Sequence, residues 1–143
     1  MITGIDTRAA VVVRVSIEID APLQRVWNLH TDVGNWPTWQ TDITTATGSV
    51  EEGSVFHWST FGLDIASTVY AVEAPHRTLW GGPAHGIDGI HQWTFGEEDG
   101  VVHVHTEESW DGEPIRADVD GMRASLQVSL TSWLQHLKKA AES

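Results

Sequence analysis

Cysteine is absent from the 143 residues, which excludes a disulfide framework, a thiol nucleophile, a thiolate zinc site and an iron–sulfur cluster. Positive charge is scarce: eight Lys and Arg stand against twenty Asp and Glu, for a formal net charge of -12, and the largest basic cluster is Lys138 with Lys139. Such a surface repels duplex nucleic acid and anionic membranes, so neither is expected as a partner. Long apolar runs are also missing. The longest is Ala9 to Val13, far short of a membrane span or a secretory core, and no basic leader precedes it; a soluble cytoplasmic protein is expected. There is no Gly-x-Ser-x-Gly, dinucleotide fingerprint or His-Glu-x-x-His, so hydrolase-triad, nicotinamide and zincin chemistry lack a footing. The segment Gly81-Gly82-Pro83-Ala84-His85-Gly86 has a phosphate cradle's glycines but neither its Lys-Ser/Thr ending nor a following helix. It reads as a mobile loop at a cavity mouth.

What is present is tryptophan. Eight Trp outnumber three Phe and one Tyr, and such large flat side chains either fill a core or line a concave apolar pocket. The length suits a single domain over 1–143, with no repeat, low-complexity tract or linker to divide it. Residues 1 to 8 read as a loose arm. Val11, Val13, Val15, Ile17 and Ile19 then alternate with Val12, Arg14, Ser16 and Glu18, the period of a half-buried strand. Pro22 opens a helix in which Leu23, Val26, Trp27 and His30 stand at i, i+3, i+4 and i+7. Gly34, Asn35 and Pro37 interrupt it, and Val33, Trp36 and Trp39 suggest a second short helical turn.

From Ile43 to Trp110 glycine-bearing breaks separate six further strands, expected over 43–50, 54–60, 63–73, 77–82, 87–95 and 101–110. The last two read as a hairpin with Glu97-Glu98-Asp99-Gly100 as a four-residue loop, pairing Phe95 with Val102. Beyond residue 118 the period changes. Val119, Met122, Leu126, Leu130, Trp133, Leu134 and Leu137 recur every three to four positions, the stripe of a long amphipathic helix, with Gly121 marking where its regular part should begin. The class is therefore α+β, in the order β-α-α-β6-α: a seven-stranded curved antiparallel sheet wrapped around one long C-terminal helix. Wherever side chains fail to fill the space between them a cavity opens, and with Gly81 and Gly89 leaving gaps on the sheet it should reach at least a few hundred cubic ångströms against the helix that carries Met122, Leu126 and Leu130.

The segments IDAPLQRVWNLHTDVGNWPTWQTDI at 19–43, VEAPHRTLWGG at 72–82, HQWTF at 91–95, TEESWDGEP at 106–114 and WLQHLKKAAE at 133–142, in this order and spacing, resemble the START-like (SRPBCC) superfamily. Within it they are similar to the polyketide cyclase/dehydrase group, over residues 10 to 142. The resemblance implies a helix-grip fold and a hydrophobic-ligand cavity that serves cyclases, dehydratases, lyases, carriers and receptors, sharing a cavity and not a catalytic apparatus. In the aromatic-polyketide cyclases a pocket Arg works with Tyr and Ser hydroxyls. Here Tyr70 is the sole Tyr, and no Arg falls on an inward strand position.

The hairpin register selects the side chains sharing an inner face: Phe95 with Val102, Trp93 with Val104, His91 with Thr106, and Gly89 with Glu108. His91 and Glu108 are thus the candidate catalytic pair, a general acid and base with a bell-shaped pH dependence, because burial raises a carboxylic acid and lowers an imidazole. Candidate substrate-binding residues are Trp36, Trp39, Phe56, Trp58, Tyr70, Trp80, Trp93, Thr106, Trp110, Met122 and Leu126, a lining suited to flat conjugated ligands. The leading reading is a cofactor-free cyclase or dehydratase acting on a hydrophobic small molecule. The alternatives are a non-catalytic carrier or sensor of such a molecule and, more remotely, a protein-interaction module. His103 and His105, at i, i+2, could chelate a metal, but the register turns them outward; a loop one residue shorter would reverse every orientation. No metal ligand set is assigned, and chelator treatment is expected to leave the melting temperature unchanged.

Overall fold

The computed structural model describes residues 2–143. Seven strands form one antiparallel, curled sheet in the order β1-β7-β6-β5-β4-β3-β2. They are β1 (Val11–Ile19), β2 (Ile43–Thr47), β3 (Val55–Thr60), β4 (Leu63–Glu73), β5 (Arg77–Ala84), β6 (Ile87–Glu98) and β7 (Val101–Asp111). Between β1 and β2 lie α1 (Leu23–Thr31), a single 3-10 turn and α2 (Trp36–Trp39); after β7 come α3 (Glu113–Arg116) and α4 (Val119–Glu142). This is the helix-grip arrangement expected from the periodicities, with Leu126, Leu130, Trp133, Leu134 and Leu137 buried along α4.

Both ends of α4 are fastened. Asp118 accepts a hydrogen bond from the Gly121 N–H, so the helix starts two residues before Gly121, and a side chain at 121 would collide with that carboxylate. At the far end Arg25 of α1 donates to the carbonyls of Ala141 (2.7 Å) and Ala140 (3.2 Å), satisfying acceptors the last turn cannot use itself. The N-terminal arm is tied down more than its sequence suggests: the Asp6 N–H donates to Ser109 Oγ, and the Thr3 carbonyl accepts from Arg77. Met1 lies outside the described residues.

The hairpin of β6 and β7 corrects the expected register. Glu97 and Glu98 continue the strand, and the turn is only Asp99-Gly100, both in the left-handed region (φ 53° and 79°). An Asp-Gly pair suits the two-residue turn whose twist matches the strands, so it prevails over a looser four-residue loop. Phe95 consequently pairs with Val104, Trp93 with Thr106, His91 with Glu108 and Gly89 with Trp110. A slide of two residues preserves which face each side chain occupies. The same device closes the segment read as a mobile loop: β5 runs through Pro83 to Ala84 and turns at His85-Gly86 (φ 54° and 82°). A third such turn, Phe61-Gly62, joins β3 to β4.

At Gly81 the neighbouring strand passes so close that a Cβ there would collide with the Gly89 carbonyl oxygen. A Cβ at Gly89 would meet only the Trp110 ring at 3.5 Å and the Glu108 carboxyl at 3.8 Å, which is ordinary contact. Gly81→Ala is therefore expected to lower the melting temperature by roughly 5 °C or more, whereas Gly89→Ala should leave stability nearly unchanged and narrow the space beside Glu108. Thermal unfolding of the two variants checks this contrast.

Candidate functional site

The sheet and α4 do not close on each other completely. They leave a cavity of about 210 Å³ between the inner faces of β3 to β7, the loop before β2, and the first half of α4. It is smaller than expected, because Trp36, Phe56 and Trp93 are all fully buried and fill the other half of the space. Their edge-on packing, with Trp36 to Phe56 at 5.4 Å and Trp93 to Trp133 at 5.3 Å between ring centroids, makes a solid aromatic block. The open part is walled by Trp58, Trp80, Trp110 and Trp133, with Ile65, Ile87, Leu126 and Leu130 between them. Trp58 is held in plane by donating from Nε1 to Ser67 Oγ at 3.0 Å. At the mouth stand the hairpin tips, with Phe61 68% exposed and His85 facing the Asp64 carbonyl at 2.9 Å.

Of the expected lining residues, Trp58, Trp80, Trp110 and Leu126 reach the cavity together with His91 and Glu108. Trp36, Phe56, Trp93 and Thr106 lie on the inner side but behind the wall, as part of the packed core. Trp39 lies against a surface groove with Arg25, Leu29 and Asp32, because α2 turns that residue away from the sheet. Tyr70 occupies the irregularity between Val69 and Ala71 in β4, where alternation breaks, and does not line the cavity. Met122 packs with Val11, Val13 and Ile115 in a second apolar cluster toward the start of α4, one turn beyond the cavity.

His91 and Glu108 are directly opposite across β6 and β7, with His91 Nδ1 3.2 Å from Glu108 Oε1. The hydrogen bonds around them run in one direction. Thr106 donates its hydroxyl proton to the Gln92 carbonyl (3.2 Å), so its oxygen accepts from the His91 Nε2–H at 2.7 Å. Nδ1 is then a lone pair, and its contact with Oε1 is a hydrogen bond only when Oε1 carries the proton. Glu108 Oε2 is already committed as acceptor from the Trp110 indole N–H at 2.6 Å. Burial agrees with this arrangement: it pushes the Glu108 carboxyl up to about 7 against the opposing pull of the Trp110 bond, and pushes His91 down to about 3. The result is a neutral imidazole seated against a carboxylic acid that holds its proton up to neutral pH. Glu108 is the more open of the two, its side chain 16% exposed against 4% for His91.

A second buried histidine stands behind the wall. His30, an apolar-stripe position of α1 in the sequence, is fully buried, meets Thr78 Oγ1 at 2.8 Å through Nε2, and stacks on Trp80 at 5.3 Å. Burial, and then the proximity of His91, hold it well below the usual histidine range. His103 and His105 lie on the outer face, His105 Nδ1 2.8 Å from Ser16 Oγ and His103 Nδ1 3.6 Å from Glu18.

The cavity also takes residues that carry no sequence signal of a site. Gln40 and Asp42, in the loop between α2 and β2, line it, as do Ser125, Ser129 and Trp133 of α4. Ser125 and Ser129 are one helical turn apart on the same stripe as Leu126 and Leu130, a polar interruption that periodicity could have exposed. Nothing in the local pattern marks Gln40.

The similarity to known proteins agrees with the architecture. No curated protein matches the sequence. Among solved structures, a hypothetical protein of Helicobacter pylori superposes with a TM-score of 0.84 at 17% identity, over 99% of this chain and 98% of that one. A START superfamily protein of Mycobacterium smegmatis gives 0.76 at 9%, over 92% and 97%. DynU16, a protein in the dynemicin biosynthetic locus, gives 0.74 at 21%, over 92% of this chain and 47% of its own, so this chain spans about half its length. These likenesses show the fold. Residues 10–142 match the sequence family described as polyketide cyclase / dehydrase and lipid transport, and the chain belongs to that family.

Proposed function

We propose that the protein is a cofactor-independent enzyme of the cyclase/dehydratase kind, acting on a flat hydrophobic small molecule by proton transfer at Glu108. The observation that carries this reading is the state of Glu108: a carboxyl raised to about 7, open to an apolar cavity and backed by a neutral histidine. A passive apolar carrier has no use for an ionisable group in its wall, where burying it costs stability. A carboxyl with a pKa near the working pH exchanges protons readily in both directions.

In a dehydration, the Glu108 carboxylate removes the proton next to a substrate carbonyl. The resulting acid returns that proton to the hydroxyl two carbons from the carbonyl, the C–O bond breaks, and water leaves with the new C=C bond conjugated to the carbonyl. In an aldol closure the same enolate adds to a second carbonyl of the substrate, the π bond of that carbonyl breaks as the carbon–carbon bond forms, and the Glu108 acid returns its proton to the new alkoxide. His91 does not exchange protons with substrate in this scheme, since its Nε2–H is held by Thr106 and burial makes Nδ1 too weak a base to compete for the proton; it is a positioning residue whose Nδ1 accepts from Oε1 whenever Glu108 holds its proton. The Trp58, Trp80 and Trp133 faces supply the area that holds a conjugated ligand. The substrate is a cytoplasmic metabolite on this reading.

The pH behaviour distinguishes this scheme from a two-carrier pair. Because His91 titrates near 3, it adds no limb in the neutral range, and kcat/KM should rise through about 7 on one limb instead of following a bell. Glu108→Gln should remove that limb and lower turnover about a hundredfold or more while largely sparing binding. The assay follows conversion of a panel of conjugated β-hydroxyketones by mass spectrometry. Binding of these ketones with no change in mass for the wild type at any pH would favour the carrier, and full turnover in the variant would defeat the role of Glu108.

The same titrations set stability. Between 4.5, the ordinary value, and about 7, the folded state keeps a proton on Glu108 that the unfolded chain has lost, so this group's contribution falls as pH rises. His91 acts oppositely: between 6.5 and about 3 the unfolded chain takes up a proton that the folded state refuses, and stability is lost as pH falls. Glu108→Gln should therefore melt at the wild-type temperature near pH 4.5 and be the more stable protein above pH 7, by on the order of 3 kcal/mol. Thermal melts across this range check the divergence.

A further inference from the structure

Gln40 is 1% exposed and yet lines the cavity. Its Oε1 accepts two hydrogen bonds, from the Asp42 backbone N–H at 3.1 Å and from His136 Nδ1 at 2.7 Å. A backbone N–H can only donate, so the amide oxygen must be the atom turned toward it, and the orientation of the amide is fixed. The amide nitrogen is left with two N–H donors and no acceptor among the described residues. The nitrogen is not one of the buried polar atoms left without a partner, so it reaches open space, and the space that Gln40 borders is the cavity; a ligand that fills that space must offer the amide an acceptor or leave it desolvated at a cost. Beside it, Asp42 accepts from Ser132 Oγ through Oδ2 at 3.0 Å, and its other oxygen has no partner among the described residues.

These groups lie across the cavity from Glu108. Gln40 and Asp42 flank the entry to β2, the strand at one edge of the sheet, whereas Glu108 is on β7, next to the opposite edge. The curl of the sheet brings both to one cavity, with the Trp58, Trp80 and Trp133 faces between them. We infer that Gln40 is the anchoring donor for a carbonyl oxygen on the ligand, at the end of its flat apolar body remote from Glu108, with Asp42 beside it to accept a neighbouring hydroxyl proton. The ligand class is then a conjugated molecule with oxygen functions at both ends, such as an enolised 1,3-dicarbonyl. Gln40 and Asp42 bind one end while the other lies at Glu108. The inference rests on the proposed acid–base reading only in placing the ligand in the same cavity.

The test compares two probes of nearly equal shape, 2-acetylnaphthalene and 2-ethylnaphthalene, by quenching of tryptophan fluorescence at pH 8.5. There Glu108 is deprotonated and cannot itself donate to the ketone. The wild type should bind the ketone about tenfold more tightly than the hydrocarbon. Gln40→Glu keeps an acceptor for the Asp42 N–H and His136 while replacing the donor with an oxygen, and Gln40→Met removes the donor altogether. Both should reduce the preference to within about twofold with the hydrocarbon's affinity unchanged. Melting temperature verifies that each variant is folded, and the wild-type preference stands as a separate measurement if one is not. Equal affinity of the two probes for the wild type, survival of the preference in both variants, or parallel loss of both ligands would each overturn the inference. The acid–base reading fails separately: if Glu108→Gln leaves turnover intact while the ketone preference follows Gln40, Gln40 remains an anchor in a cavity that does not use Glu108.

Discussion

A carboxylic acid placed in an apolar cavity must find a partner or keep its proton, and the arrangement of side chains around this cavity follows from how Glu108 does both. Its position is fixed by pairing between β6 and β7, which sets it opposite His91. That pairing in turn depends on the Asp99-Gly100 turn, where two consecutive left-handed residues leave the strands no other register. From the register comes the orientation of the imidazole, held by Thr106 on one side and the carboxyl on the other. The indole of Trp110, two residues along the same strand, completes the set by occupying Oε2.

The tryptophans divide between two tasks. Trp36 and Trp93 are core, and their size is what confines the cavity to one half of the space under the sheet. Trp58, Trp80, Trp110 and Trp133 are wall. Trp36 is anchored as well as packed, since its indole N–H donates to the His30 carbonyl at 2.9 Å. Small residues set the boundary from the other side: at Gly81 a side chain would run into the Gly89 carbonyl, so β5 and β6 approach closely where the cavity needs depth.

The element order, the antiparallel sheet and the long helix were legible because each rests on a period that survives any local detail: two for β1, three to four for α4. Orientation of His91, Thr106 and Glu108 was legible for the same reason, even though the expected partner of each was two residues off, because parity is insensitive to an even slip. What was not legible depends on distance in space. Whether Trp93 or Trp80 faces open volume is decided by the packing of neighbours from four elements. Gln40 sits in an irregular loop, where no period applies, and its fixed amide is visible only once Asp42 and His136 are in place. Tyr70 does not reach the cavity because Ile65, Ser67 and Val69 take the inward positions of β4, and the irregularity that follows Val69 falls at Tyr70 itself.

The fastening of α4 at both ends bears on the traffic of ligands. With Asp118 holding its first turn and Arg25 its last carbonyls, the helix cannot lend slack to the cavity by fraying. Expansion must come from the sheet, and the hairpin tips at Phe61-Gly62 and His85-Gly86 border the mouth. Opening of the mouth is thereby separated from opening of the core: the hairpin tips can part many times over during the life of one folded helix, so slow amide exchange along α4 can coexist with fast motion at the mouth.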